Sequence, residues 1–295
     1  MNAPHYPPLF AGNDGNMWYT YYSDTQIIRM NMSGGTKRIA LPSYNPTALT
    51  VGSDHKFYMG DVNLAAIEIA TTGGSVSQNA IPSGDKVSYD GMALGPDGNV
   101  WFTENAHVGR IKTTGSIAEF AYSDGNLSNN LGDITAGPDG NLWATEYNTA
   151  TLDKVTPTGS MTAFALGCNP TRIVSASGSL WVSCTTNNIV QVSTSGTVVS
   201  QFYNGFGFSS SGNFMTIGGD GNPWFGTGSG NIIGTFNPKN DSLTYYYPPI
   251  NYGTSNSIAL GPDGNMWTVD SSSRAVDIYI INVIAVTPPT LNITG

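Results

Sequence analysis

Short apolar runs of four or five residues recur along almost the whole chain, separated by clusters of Gly, Pro, Asn and Asp. One stretch shows the pattern in full. Gly91-Met92-Ala93-Leu94 runs into a turn, and Val100-Trp101-Phe102-Thr103 leaves it. Val108-Gly109-Arg110-Ile111 follows, then a turn at Thr114-Gly115, then Ile117-Ala118-Glu119-Phe120. Runs of this length bounded by turn residues predict strands, and none has the length or spacing of an amphipathic helix. Asp-Gly at the first turn supplies the positive φ that a tight hairpin needs.

The same unit recurs. Its marker is a turn followed by Trp, as in Gly12-Asn13-Asp14-Gly15-Asn16-Met17-Trp18 and Gly261-Pro262-Asp263-Gly264-Asn265-Met266-Trp267. Shorter forms are Ser177-Gly178-Ser179-Leu180-Trp181 and Gly219-Asp220-Gly221-Asn222-Pro223-Trp224. A degenerate copy, Gly52-Ser53-Asp54-His55-Lys56-Phe57, puts Phe57 in the Trp place. The anchors 18, 57, 101, 143, 181, 224 and 267 stand 39, 44, 42, 38, 43 and 43 residues apart. Seven copies of a forty-residue, four-strand unit predict an all-β, seven-bladed β-propeller with four-stranded antiparallel blades over residues 1–286. The seventh copy lacks a clear fourth strand, and either Val283-Ile284-Ala285-Val286 or the stretch around His5-Tyr6 could close the ring. Residues 287–295, with Pro288-Pro289, read as a linker or the start of a following β-domain.

Composition narrows the function. The chain of 295 residues has 11 Lys and Arg against 20 Asp and Glu, a formal charge of −9, so a phosphate backbone would be repelled and nucleic acid is not expected as a partner. No apolar run approaches the about 20 residues of a membrane span, so membrane insertion is not expected. Charged residues are only 11% of the chain and 36 are Gly, which favours an extracellular or cell-surface home although no signal peptide is present in this sequence.

Strand direction in a propeller sorts the carboxylates. The Asp-Gly turns lie at the bottom, so Asp14, Asp54, Asp97, Asp139, Asp220 and Asp263 read as structural turn residues. The top keeps Asp61, Asp90, Glu104, Asp133, Glu146 and Asp270, with Tyr21, Tyr89 and Tyr147 near them and Arg172 as a cation. Tyr89, Asp90, Glu104, Asp133, Glu146, Tyr147, Arg172 and Asp270 are the candidate ligand-binding set; Asp90, Glu104, Asp133 and Glu146 are the candidate ligands for Mg²⁺ or Ca²⁺. The alternative is a solvated loop face. Of three histidines, His5 lies in the terminal stretch, and His55 replaces the Gly of a bottom turn and fills a left-handed position. His107 follows Glu104 and can reach the top rim; with Glu104 and Glu146 it is the candidate acid or base. Cys168 and Cys184 flank the first hairpin of the fifth blade, placed for a disulfide or as buried thiols.

The motifs Gly95-Pro96-Asp97-Gly98-Asn99-Val100-Trp101-Phe102-Thr103-Glu104 and Gly137-Pro138-Asp139-Gly140-Asn141-Leu142-Trp143-Ala144-Thr145-Glu146 resemble those of the streptogramin B lyase (virginiamycin B lyase) family. The run from Val108 to Phe120 does so as well, and the likeness extends from about residue 9 to 282. The resemblance implies the propeller fold and Mg²⁺-assisted opening of a cyclic depsipeptide, with a histidine base near the start of an innermost strand. Those starts here read Asn45-Pro46-Thr47, Tyr89-Asp90-Gly91, Gly132-Asp133-Ile134, Pro170-Thr171-Arg172, Asn213-Phe214-Met215 and Asn256-Ser257-Ile258, without histidine. Together these features favour a secreted module that binds a glycan, peptide or protein ligand within a larger surface protein, rather than an enzyme. The alternatives are a metal-dependent lyase or lactonase at the acidic mouth, and a structural unit of a surface assembly.

Overall fold

The structure, a computed structural model, describes residues 9–20, 25–42, 46–61, 64–104, 107–121, 131–186, 188–203, 214–226, 232–247, 255–270 and 277–281. Within them the chain forms β-strands and turns, and no helix is long and apolar enough to cross a membrane. The first sheet holds β1 (Leu9–Ala11), β2 (Met17–Thr20), β3 (Gln26–Met30) and β4 (Thr36–Ala40), and the second β5 (Pro46–Val51), β6 (Phe57–Asp61), β7 (Leu64–Ala70) and β8 (Val76–Ala80). The third holds β9 (Val87–Leu94), β10 (Val100–Glu104), β11 (His107–Ile111) and β12 (Ile117–Ala121). The fourth holds β13 (Leu131–Ala136), β14 (Leu142–Glu146), β15 (Thr151–Val155) and β16 (Met161–Ala165). The fifth holds β17 (Pro170–Ala176), β18 (Ser179–Cys184), β19 (Asn188–Val192) and β20 (Val198–Tyr203). The sixth is β21 (Met215–Ile217), β22 (Pro223–Gly226), β23 (Ile233–Asn237) and β24 (Ser242–Tyr246); the seventh is β25 (Ser255–Leu260), β26 (Met266–Asp270) and β27 (Asp277–Ile281). Each sheet is an antiparallel meander, four-stranded in six blades and three-stranded among the described residues of the seventh. The strands and turns of the third blade fall where the apolar runs predict them.

The apolar core is divided among the seams between blades. Among the described residues seven buried clusters occur, each drawing side chains from two neighbouring sheets. Trp101, for example, points from the third blade into Leu131, Ile134, Leu142 and Val155 of the fourth. The last seam closes the ring: Ala259 and Trp267 of the seventh blade pack on Leu9, Met17, Tyr19 and Ile28 of the first. The Leu9 amide also donates to Ser257 Oγ at 3.1 Å. Strand β1 thus completes the first blade from its own segment, while both segments considered for the fourth strand of the last blade lie outside the described residues, as does the 287–295 tail.

The Trp marker has a specific mechanical basis. Trp101 Nε1 donates to Asp97 Oδ1 at 3.0 Å, and the same bond joins Trp18 to Asp14, Trp143 to Asp139, Trp224 to Asp220 and Trp267 to Asp263. The indole then lies flat over the first glycine of the turn, where a Cβ on Gly95 would come within 2.4 Å of the ring. This geometry corrects one anchor. In the second blade Tyr58, not Phe57, takes the Trp place: its hydroxyl donates to Asp54 Oδ2 at 3.2 Å and its ring covers Gly52. Tyr58 faces the third blade as each Trp faces the next, whereas Phe57 turns back to the first. His55 fills the left-handed position of that turn with φ 62°.

Candidate functional site

The innermost strands line a central channel, and each runs from the top face down to its Asp-Gly, Asp-His or Ser-Gly turn. A β-bulge interrupts the start of β5, β9, β13, β17 and β25, in the last four beside the candidate residues Asp90, Asp133 and Arg172 and beside Asn256. Bulges re-aim side chains at sheet edges, and these sit at the channel mouth. A cavity of about 340 Å³ occupies the channel, with Leu49, Met92 and Phe214 among its apolar walls and Asp133 and Arg172 as its charged groups.

Asp133 is held firmly. One carboxylate oxygen accepts the Ile134 amide and the other the Ile173 amide of the next blade, each at 2.9 Å, so it stitches two inner strands together. Arg172 is partly buried and donates to the Thr171 carbonyl at 3.0 Å. Tyr89 and Asp90 belong to β9 and Asp270 ends β26; their side chains, like that of Asp61 and the whole of Tyr21, lie outside the described residues. Tyr147, in the connection between β14 and β15, is partly buried, and its carbonyl accepts Asn169 Nδ2 at 2.7 Å.

Glu104 and Glu146 do not join this cavity. Both end the second strand of a blade and both are buried. Glu146 Oε2 accepts the Thr151 hydroxyl at 3.1 Å. In the preceding blade the corresponding first residue of the third strand is His107, and it brings different company. His107 Nδ1 stands 3.0 Å from Asp85 Oδ2 and 3.8 Å from Glu104 Oε2. Glu119 lies on the same side, its carboxylate accepting the Ser83 amide at 3.0 and 3.3 Å. Burial, and then the negative charges of Glu119 and Asp85, push the Glu104 carboxyl up to about 9, against the weaker opposite pull of the Ser83 hydroxyl.

Sequence reasoning therefore names Glu104 and His107 without Asp85, Glu119 or Ser83. Asp85 was within reach of the same topological sorting, because it stands just before the innermost strand of the third blade. Glu119 was not, because an outer-strand residue gives no sign that it folds towards the inner loop. The disulfide alternative holds for Cys168 and Cys184, which are bonded to each other with Cα atoms 5.9 Å apart.

The channel residues do not suit the Mg²⁺ that the family resemblance implies. Asp133 is the one carboxylate among the described lining side chains, both its oxygens hold backbone amides, and the Arg172 guanidinium shares the cavity. A dication there would displace structural hydrogen bonds and face a like charge.

Seven antiparallel sheets around a channel, pinned by repeated Asp–Trp bonds, define a seven-bladed β-propeller. The sequence profile of the virginiamycin B lyase family matches residues 5–128 and 126–281, and the chain belongs to that family. Among solved structures, a streptogramin B lyase superposes with a TM-score of 0.81 at 21% identity, covering 95% of each chain. A catalytically inactive histidine-to-alanine variant of the Staphylococcus aureus virginiamycin B lyase, solved with quinupristin, gives 0.80 at 24% identity over 92% of this chain and 94% of that one. The extracellular domain of a putative one-component system from B. thetaiotaomicron gives 0.69 at 16% identity, over 94% of this chain and 40% of that one. These likenesses are of fold. No curated protein matches the chain.

Proposed function

We propose that this protein is a ligand-binding propeller of the lyase family without the family's ring-opening chemistry, and that it takes a compact amphipathic peptide in the central channel. The channel cavity carries the reading: apolar walls from Leu49, Met92 and Phe214 stand beside Asp133 and Arg172, which can orient a polar group of the ligand. The placement of the two histidines among the described residues supports it. His55 belongs to a bottom turn and His107 to the outer rim between the second and third blades, so neither serves a ligand in the channel. The Cys168–Cys184 disulfide supports an extracytoplasmic setting, where such bonds persist.

The test uses quinupristin with Mg²⁺, followed by calorimetry for binding and by chromatography for ring opening. The reading expects saturable binding, weakened by Arg172→Ala, with the peptide recovered intact. Mg²⁺-dependent opening would show a working lyase and overturn it; failure to bind would remove cyclic peptides of this kind as ligands.

A further inference from the structure

The second candidate for chemistry lies outside the channel. Asp85, Glu104 and His107 each offer one donor atom, and the three atoms lie within 4.8 Å of one another. Two of the edges are 3.0 and 3.8 Å. Donors held about 2.1 Å from a tetrahedral cation stand about 3.4 Å apart, so small rotations of two side chains bring this group onto one ion. Glu104 is fully buried, and its Oε1 has no hydrogen-bond partner. Glu146 has the same position in the next blade, but there the facing residue is Thr151, a plain donor. Among the described residues, the third blade alone sets an imidazole and further carboxylates around such a buried glutamate.

The charge pattern points the same way. Asp85 and Glu104 both approach His107, Glu104 Oε2 and the Glu119 carboxylate both reach Ser83, and among the described residues no Lys or Arg is bonded to these three acids. Carboxylates gathered without a neutralising cation favour a bound positive ion. The side chains of Asp85 and His107 remain 33% and 24% exposed, which leaves a path from solvent to the buried carboxylate.

We infer that Asp85, Glu104 and His107, with Glu119 beside them, form a divalent-metal site of the zinc type at the top of the junction between the second and third blades. One imidazole with carboxylates suits Zn²⁺ or Mn²⁺ better than Ca²⁺ or Mg²⁺, which favour all-oxygen shells. His107 binds through Nδ1 as the neutral imidazole, and Glu104 binds as the carboxylate. Such an ion ties the loop carrying Ser83 and Asp85 to β10 and β11, bracing the crossing from one blade to the next. This role is independent of what the channel binds.

Untagged protein, stripped with chelator and exchanged into metal-free buffer, is titrated separately with Zn²⁺, Mn²⁺, Ca²⁺ and Mg²⁺. Bound metal, melting temperature and proton release are recorded. The expected result is roughly one Zn²⁺ per chain, a raised melting temperature and released protons, since coordinating groups must deprotonate. Glu104→Gln should lose the ion, and so should His107→Gln at the more accessible position; His55→Gln, at a bottom turn, should keep it. The inference fails if wild type neither retains Zn²⁺ nor shifts its melting temperature. It also fails if both site variants bind as wild type does, or if Ca²⁺ or Mg²⁺ binds in preference to Zn²⁺.

Discussion

The turn aspartates show how much a single side chain carries in this fold. Asp139 accepts from Trp143 Nε1 at 3.2 Å, from Asn141 at 2.9 Å, and from Lys154 Nζ at 2.8 Å, while Lys154 also lies 5.4 Å above the Trp143 ring. Burial alone would raise its pKa, but these bonds outweigh it and bring the carboxyl from 3.8 down to about 2. A group depressed in the folded state adds stability above its unfolded value and loses it as pH falls through the folded one. Asp139→Asn should therefore be less stable than wild type above pH 3.8, with the gap closing between 3.8 and about 2 in urea titrations across pH. A gap that persists unchanged at pH 2 would mean that ionisation is not what matters. That these aspartates are structural follows from the Asp-Gly pattern alone. That each one also anchors an aromatic ring four residues on, an indole in five turns and the Tyr58 phenol at Asp54, does not, because the bond closes only when the hairpin folds the ring back over the turn.

At the scale of the element, the fifth blade is the exception. Its turn, Ser177-Gly178, has no aspartate, and Trp181 Nε1 reaches only the Ala176 carbonyl at 3.4 Å. The Cys168–Cys184 bond joins the segment before β17 to the end of β18, at the other end of the same hairpin. Its sequence separation is 16, and closing a loop of about that size removes roughly 3 kcal/mol of unfolded-state entropy on the chain-entropy account. The double variant Cys168→Ser, Cys184→Ser should lose about 2–4 kcal/mol in chemical denaturation, and reductant should shift wild type alone. If reductant leaves the wild-type midpoint where it was, the bridge does not hold this hairpin. The pairing was one of two alternatives at the level of sequence, since two cysteines flanking a hairpin meet only if the strands pair in the register that brings Pro170 opposite Cys184.

For the molecule as a whole, stability is shared among seven seams, and a closed ring has no weak end. Trp267 fills the seam that joins the last blade to the first, as Trp101 fills the seam between the third and fourth. Each is almost wholly buried, so Trp267→Ala should cost about 3–5 kcal/mol, much like Trp101→Ala. A far smaller loss at Trp267 in equilibrium denaturation would mean that the ring stands open there. Blade number, strand order and the bottom turns were all legible in the chain, because a repeat writes its period directly into spacing and turn chemistry. The top face was only partly so. Glu104, Glu146, Asp133 and Arg172 share one level along the blades, but the channel receives Asp133 and Arg172 while Glu104 turns to His107, Asp85 and Glu119 at the rim. Strand periodicity determines height and facing along a blade, and the sequence by itself settles that much. Which side chains from different blades and loops converge depends on bulges, blade tilt and the path of the crossing loops, and those are decided only when the seven sheets pack around their axis.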